Sequence, residues 1–209
     1  ASLPPEAFGE LSDGINEVLF SAEEIAAKVQ QLGQAISRDY NGRYPLIVGV
    51  LKGVLPFMAD LLRVITIPVE IDFLAIASYS PETRERGLVR LEKDLEESIE
   101  GRHVLFVEDM IDTGLTLNYL LRNLRAREPA SLEVCALFNK PRRRLINLPV
   151  KYKGFDLPDR FVVGYGLDYR GKYRNLPFVG LLRPEVFKPE NNKKAAPDKT
   201  RCALSILTP

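Results

Sequence analysis

Apolar residues recur every three or four positions through SAEEIAAKVQQLGQAIS, residues 21–37, so that Ile25, Val29, Leu32 and Ile36 share one face of a predicted helix. Ser21 and Glu24 stand in capping-box spacing and mark its start. LIVGVL, residues 46–51, is instead an unbroken apolar run of strand length, as expected of a strand covered on both faces in a parallel sheet. After Lys52-Gly53, PFMADLLR opens a second helix with Pro56 near its first turn. VEIDFLAIAS (69–78) reads as a strand, and VLFVEDMIDTGLTLNYLL (104–121) as a short buried strand that runs through an acidic turn into a helix. LEVCALF (132–138), RFVVGYGLD (160–168) and a last stretch around FVGLL are further strands. Strands alternating with helices over short connections predict an α/β fold with a mostly parallel central sheet flanked by helices.

The pattern lapses in three places. Residues 1–14 carry Pro4, Pro5, Gly9 and Gly14 and read as an irregular arm. Residues 79–101 are charged, hold Pro81, Gly87 and Gly101, and read as a long exposed loop or hairpin, a length that usually signals function or disorder. From Pro184 onward, PENNKKAAPDKT has the composition of a flexible extension over residues 184–209. One domain over residues 15–183 remains, and a chain of 209 residues with 45% hydrophobic content can bury a core of that size.

Charge and cysteine content narrow the function. Lys plus Arg (29) nearly balances Asp plus Glu (28), so overall charge gives no reason to expect nucleic acid or an acidic membrane as partner. Any anion site must be local. Cys135 and Cys202 offer neither a disulfide framework nor metal-ligand spacing, and no apolar run approaches the roughly 20 residues of a membrane helix. With no targeting segment apparent, a cytoplasmic location is expected. The single histidine, His103, argues against hydrolase chemistry built on a histidine base.

The chemistry concentrates where the strand of 104–121 meets its helix. Ligands of an open parallel sheet bind beyond the carboxyl ends of the strands, where backbone amides of helix starts point outward. Residues 112–116, DTGLT, can supply such amides, two hydroxyls and a glycine that admits close approach, which together make a phosphate cradle. Glu108 and Asp109 would repel a phosphate, so they need another task. Accepting hydrogen bonds from sugar hydroxyls and holding magnesium are the two that suit a carboxylate pair. The implied ligand is a phosphorylated sugar.

VLFVEDMIDTGLT closely resembles the phosphoribosyl pyrophosphate-binding motif of the hypoxanthine-guanine phosphoribosyltransferase family of purine salvage. The similarity continues through VGVLKG, FMADLL, DFLAIASY and FVVGYGLDYRGKYRNLPFVG, and so covers roughly residues 15–183. It implies the type I phosphoribosyltransferase fold, with a small hood and a long mobile loop. It also implies transfer of ribose 5-phosphate from phosphoribosyl pyrophosphate to hypoxanthine or guanine, with Mg2+ as cofactor and self-association as a homodimer or homotetramer.

By the same resemblance, Glu108 and Asp109 contact the ribose hydroxyls directly or through magnesium, and Asp112, Thr113, Gly114, Leu115 and Thr116 hold the 5-phosphate. Asp112 also lies beside the imidazole side of the purine and carries its proton. Lys52-Gly53, an ordinary turn on its own residues, matches a segment that binds pyrophosphate through backbone amides and can hold a non-proline cis peptide. Lys140 would donate to the 6-oxo group, Phe161 would stack on the base, and Val162 would present backbone groups to its edge. Asp168 is assigned to the base pocket and to a second magnesium on pyrophosphate, and Arg174 clamps that leaving group. Ser78 and Tyr79 begin the loop that closes over pyrophosphate, although Ser80 stands where the family often has glycine. Taken singly, Lys140 reads as part of the solvated run KPRRR and Phe161 as a core aromatic. A regulator that senses phosphoribosyl pyrophosphate would be expected to lack some of these residues or to add a nucleic-acid-binding element. A transferase for adenine or orotate conflicts with Lys140.

Overall fold

The computed structural model describes residues 5–77 and 90–187. A 3-10 turn at Pro5–Phe8 and a short helix α1 (Glu10–Asp13) occupy the segment expected to be irregular. Strand β1 (Ile15–Phe20) follows, where the sequence pattern gave no element. Helix α2 (Ala22–Asp39) starts as predicted. The Ser21 hydroxyl accepts from the Glu24 amide at 3.2 Å, and the Glu24 carboxylate accepts from the Ser21 amide at 2.8 Å.

Strand β2 (Leu46–Leu51), helix α3 (Leu55–Val64), β3 (Glu70–Ile76) and β4 (Leu91–Lys93) come next. They are followed by β5 (His103–Ile111), helix α4 (Leu115–Arg125), β6 (Ser131–Asn139) and β7 (Tyr152–Asp156). Strands β8 (Val162–Val163) and β9 (Val179–Leu182) and a short helix α5 (Pro184–Phe187) complete the described chain. The predicted strand over 160–168 is thus reduced to two residues. Positive φ at Gly164, Tyr165 and Gly166 turns the backbone out of the extended region immediately after Val163.

Six strands form the main sheet in the order β4-β3-β2-β5-β6-β7, parallel except for the β3–β4 pair. Its two faces are buried under separate cores. Helices α2 and α3 cover Ile47, Leu105, Val107, Cys135 and Leu137 with Ile25, Val29, Leu32, Ile36, Phe57 and Leu61. Helix α4 covers Val48, Val104, Phe106 and Val134 with Leu117, Leu120, Leu121 and Leu124. Burial on both faces explains why these strands are continuously apolar rather than alternating. The antiparallel sheet β1-β9-β8 forms a hood with its own core of Ile15, Val163, Leu176, Phe178 and Leu182.

Strand β4 lies inside the predicted loop. It is anchored by buried Asp72, which accepts from Lys93 Nζ at 2.9 Å and from the Glu96 amide at 2.7 Å. Among the described residues no helix is long and apolar enough to cross a membrane.

The reciprocal cap of α2 generates a stability prediction. Ser21→Ala removes one acceptor and should cost about 1 kcal/mol. A lowering of Tm by roughly 2–4 °C in a thermal melt is expected, and an unchanged Tm would show that the cap contributes nothing.

Candidate functional site

The sheet brings three strand ends together at one edge. Strand β5 pairs with β2 only through Gly49–Val107, yet it stays paired with β6 as far as Ile111–Asn139. Beyond Val107 the two strands part, and the crevice between them holds the Lys52-Gly53 turn and the acids of β5. Glu108 and Asp109 therefore belong to the strand itself and not to a turn after it.

Both acids are largely withdrawn from water. Asp109 Oδ1 accepts from the Met110 amide at 2.7 Å, and its other oxygen lies against the Cα of Gly53, where any side chain would collide with it. Glu108 Oε2 is buried and has no hydrogen-bond partner among the described residues. Burial, and then the charge of Asp109, drive the Glu108 carboxyl well above the usual carboxylate range. Burial likewise pushes Asp109 up to about 6, against the pull of the Met110 amide and the Arg174 guanidinium, while Asp168 adds to the push.

Arg174 and Asp168 descend on this pair from the hood. Arg174 Nη2 lies 2.7 Å from Asp168 Oδ1, and Nη1 donates to the Gly166 carbonyl at 2.6 Å. The second oxygen of Asp168 accepts from the Gly171 amide at 2.7 Å. Gly166, with φ +93°, packs directly on the Gly53 carbonyl, so a side chain at 166 would keep the hood from reaching the β2 turn. The Leu51–Lys52 peptide in that turn is cis, which its residues alone did not distinguish from an ordinary turn.

The DTGLT segment, expected to cradle a phosphate, leads directly into α4. Gly114, in the left-handed region with φ +83°, is the N-cap of α4, and the Asn118 amide donates to its carbonyl at 2.9 Å. Thr113 Oγ1 accepts from the Leu115 amide at 3.4 Å. The Thr113 carbonyl is tied down by the amides of Leu145 (3.0 Å) and Ile146 (3.4 Å), so the loop is braced from the chain after β6. Leu115 and Thr116 form the first turn of α4, with no acidic residue there to oppose an anion and with Arg122 and Arg125 at the other end, as a helix dipole favours.

On the far side stands Lys140, immediately after β6. It is only 5% exposed, which overturns the reading of a solvated surface lysine. Its Nζ donates to the Arg160 carbonyl at 2.8 Å, and burial lowers its pKa against the raising influence of Asp112. Phe161 is 41% exposed and meets Tyr169 edge to face at 5.6 Å, so it is not a core aromatic, whereas Val162 is buried in β8 opposite Leu181. Ser78 and Tyr79 lie outside the described residues.

Several polar residues of the site were not singled out from the sequence. Asn139 Oδ1 accepts from Arg144 Nε (3.0 Å) and Nη2 (2.7 Å), and its Nδ2 donates to Asp156 at 2.5 Å. Arg143 and Asp159 flank Asp112. The signal for Asn139, Arg143 and Arg144 was the basic run NKPRRR, which looks like any solvated segment, and Asp156 and Asp159 had none. For a cation, Glu108, Asp109 and Asp168 offer hard oxygen ligands, but no three acids, histidines or cysteines cluster closely enough among the described residues to enclose one.

Comparison with known proteins decides the family. Residues 17–170 match the phosphoribosyl transferase domain. The chain is 48% identical over 177 residues to a hypoxanthine-guanine phosphoribosyltransferase of Streptococcus agalactiae, covering 85% of this chain and 98% of that one. The chain belongs to this phosphoribosyltransferase family. The Bacillus subtilis hypoxanthine-guanine phosphoribosyltransferase is 47% identical over 174 residues, covering 83% and 97%. A hypoxanthine phosphoribosyltransferase structure from Staphylococcus aureus superposes with a TM-score of 0.82 at 43% identity, over 86% of this chain and 97% of that one. The type I phosphoribosyltransferase fold read from the motif is therefore the fold of this chain.

The buried pair makes a pH prediction for the metal-free, ligand-free protein. The folded state holds a proton on Asp109 up to about pH 6, whereas an unfolded aspartate releases it near 4. Stability therefore falls as pH rises between those values, and the penalty is complete above the higher one. Asp109→Asn should melt higher than the parent near neutral pH, by roughly 1–3 kcal/mol, with the difference shrinking towards pH 4. Melts of both proteins across that range check this, and a gap that does not vary with pH would contradict it.

Proposed function

We propose that the protein transfers the 5-phosphoribosyl group of phosphoribosyl pyrophosphate to a ring nitrogen of a 6-oxopurine, hypoxanthine or guanine, giving IMP or GMP and pyrophosphate. The observation that carries this reading is the buried Lys140 at the same crevice as the phosphate loop and the Glu108–Asp109 pair. An ammonium kept out of water and bound to one carbonyl still has donors to place, and a 6-oxo group can accept one where a 6-amino group cannot.

The residues divide the work by charge. Amides at the start of α4 and the Thr113 and Thr116 hydroxyls would grip the 5-phosphate. The unpartnered Glu108 Oε2 and the Asp109 carboxylate would accept from the ribose hydroxyls, which fixes the ring while the bond at its anomeric carbon lengthens. Positive charge developing on that ring would be favoured by the same carboxylates. Asp112, with a shielded oxygen that lacks a hydrogen-bond partner, would take the purine proton as the new bond forms. Phe161 would stack on the base and Val162 would offer backbone groups to its edge. Amides of the Lys52-Gly53 turn and the planar fork of Arg174 would receive pyrophosphate.

Magnesium fits this donor set if Asp168 and the β5 acids supply part of its coordination and water and substrate oxygens the rest, which suits a cation that keeps several waters. Bound there, it would offset the charge of pyrophosphate. Closure by the Ser78-Tyr79 segment, location in the cytoplasm and assembly as a dimer or tetramer belong to the same proposal and rest on the family resemblance.

Pyrophosphate release measured with hypoxanthine, guanine, xanthine and adenine, with and without magnesium, tests the proposal. Turnover is expected with one or more 6-oxopurines, only with the metal, and not with adenine. Release with adenine alone would refute it. Asp112→Asn should lower turnover by a factor of about 10² or more while nucleotide binding persists. Lys140→Ala should weaken use of 6-oxopurines and relax discrimination against 6-amino analogues, and an equal loss for every base would mean that it does not read the ring.

A further inference from the structure

Asp112 has a neighbour to which the reaction described above gives no part. Arg143 ends the 3-10 turn Pro141–Arg143 after β6, and its Nε lies 3.2 Å from Asp112 Oδ1 and 3.7 Å from Asp159 Oδ1. The three residues come from separate segments: the loop after β5, the turn after β6, and the stretch just before Phe161. Lys140 lies in the field of all three. Two cations and two anions are thus gathered around the place where the base would sit.

The Arg143–Asp112 contact is an ion pair without the alignment of a hydrogen bond. Asp112 Oδ1 is shielded from solvent yet has no hydrogen-bond partner among the described residues. An acceptor held by charge and left without an aligned donor is available to an incoming N–H. Arg143 and Asp159 have side chains about half exposed, so their pairing adds little to the stability of the fold. What it fixes is geometry.

We propose that Arg143 is a positioning residue for the transfer: tethered by Asp159, it holds the Asp112 carboxylate facing the base and sets its spacing from the exposed ring of Phe161. It acts through Asp112 and carries no proton itself, since a guanidinium stays charged throughout the working range. A lysine would keep the charge but not the planar group that can address two carboxylates at once. The inference rests on the 6-oxopurine transfer proposed above.

The test is a double-variant comparison in the pyrophosphate-release assay. Arg143→Met should lower kcat/KM for the base about tenfold, the effect of one lost charge-assisted contact, while KM for phosphoribosyl pyrophosphate stays within about twofold. Arg143→Lys should recover part of the loss. In an Asp112→Asn background, Arg143→Met should add less than about twofold, because the group it positions is gone. A full multiplicative loss in that background, parent-like kinetics of Arg143→Met, or a parallel rise of both KM values would overturn the proposal. Asp159→Asn, read through the same comparison, serves if Arg143→Met melts below the parent. A parent protein that releases no pyrophosphate with any base defeats the transfer reading and this one with it, whereas an active parent with additive variants defeats this one alone.

Discussion

Two adjacent carboxylates, Glu108 and Asp109, are held out of water at the end of β5, and the architecture around them exists on those terms. Burying a carboxylate without a full set of donors is unfavourable by several kcal/mol unless it takes up a proton or finds partners. Here the partners among the described residues are few: the Met110 amide for Asp109, the field of Arg174 from the hood, and none for one oxygen of Glu108. The deficit is not repaired by packing, because Gly53 leaves no side chain that could donate. An arrangement this unfavourable in the free protein is retained where a ligand supplies the missing donors, and sugar hydroxyls do so without bringing charge.

The sheet makes such a crevice possible through unequal strand pairing. β5 follows β6 for its whole length but leaves β2 after Val107, so the acids sit on a strand that is fixed on one side and open on the other. A fixed strand sets the spacing between the acids and the phosphate loop that follows them. The open side accepts the β2 turn, and above it Gly166 contacts the Gly53 carbonyl. The hood is thereby linked to the sheet at the point where Asp168 and Arg174 are needed. A Cβ on Gly166 would strike the Gly53 carbonyl, and one on Gly53 would strike the Asp109 carboxylate.

What could be read in the sequence follows from which forces act locally. Strands β2, β5 and β6 are buried on both faces and announce themselves as continuous apolar runs, and α2 is marked by its capping box and its one-sided face. The turn into α4 was legible because its signal, Asp112 to Thr116, lies in five consecutive residues. Strand β1 was not, since only Ile15 is buried and Asn16, Glu17 and Val18 face solvent. Strand β7 joins the sheet edge through Tyr152 and Phe155, with Lys153 and Gly154 between them giving no strand pattern. The segment 160–168 looked like one strand because its apolar content is continuous, but three successive positive-φ residues decide its path, and hydrophobicity does not report φ.

The polar side of the site illustrates a sharper limit. Lys140, Arg142, Arg143 and Arg144 form one run of cations broken only by Pro141, and nothing in their order distinguishes a buried donor from a solvated one. Their fates are decided by different partners: buried Lys140 finds the Arg160 carbonyl, Arg144 turns back on Asn139, which is itself held by Asp156, and half-exposed Arg143 finds Asp112 and Asp159. Lys140 and Arg143 are drawn out of the basic run by acceptors on other segments, so the fold separates cations that the run presents as alike. The loop it forms then braces Thr113 through the Leu145 and Ile146 amides. The segment that holds Lys140 and the turn that starts α4 thus share one support, and a change in the run is felt at both.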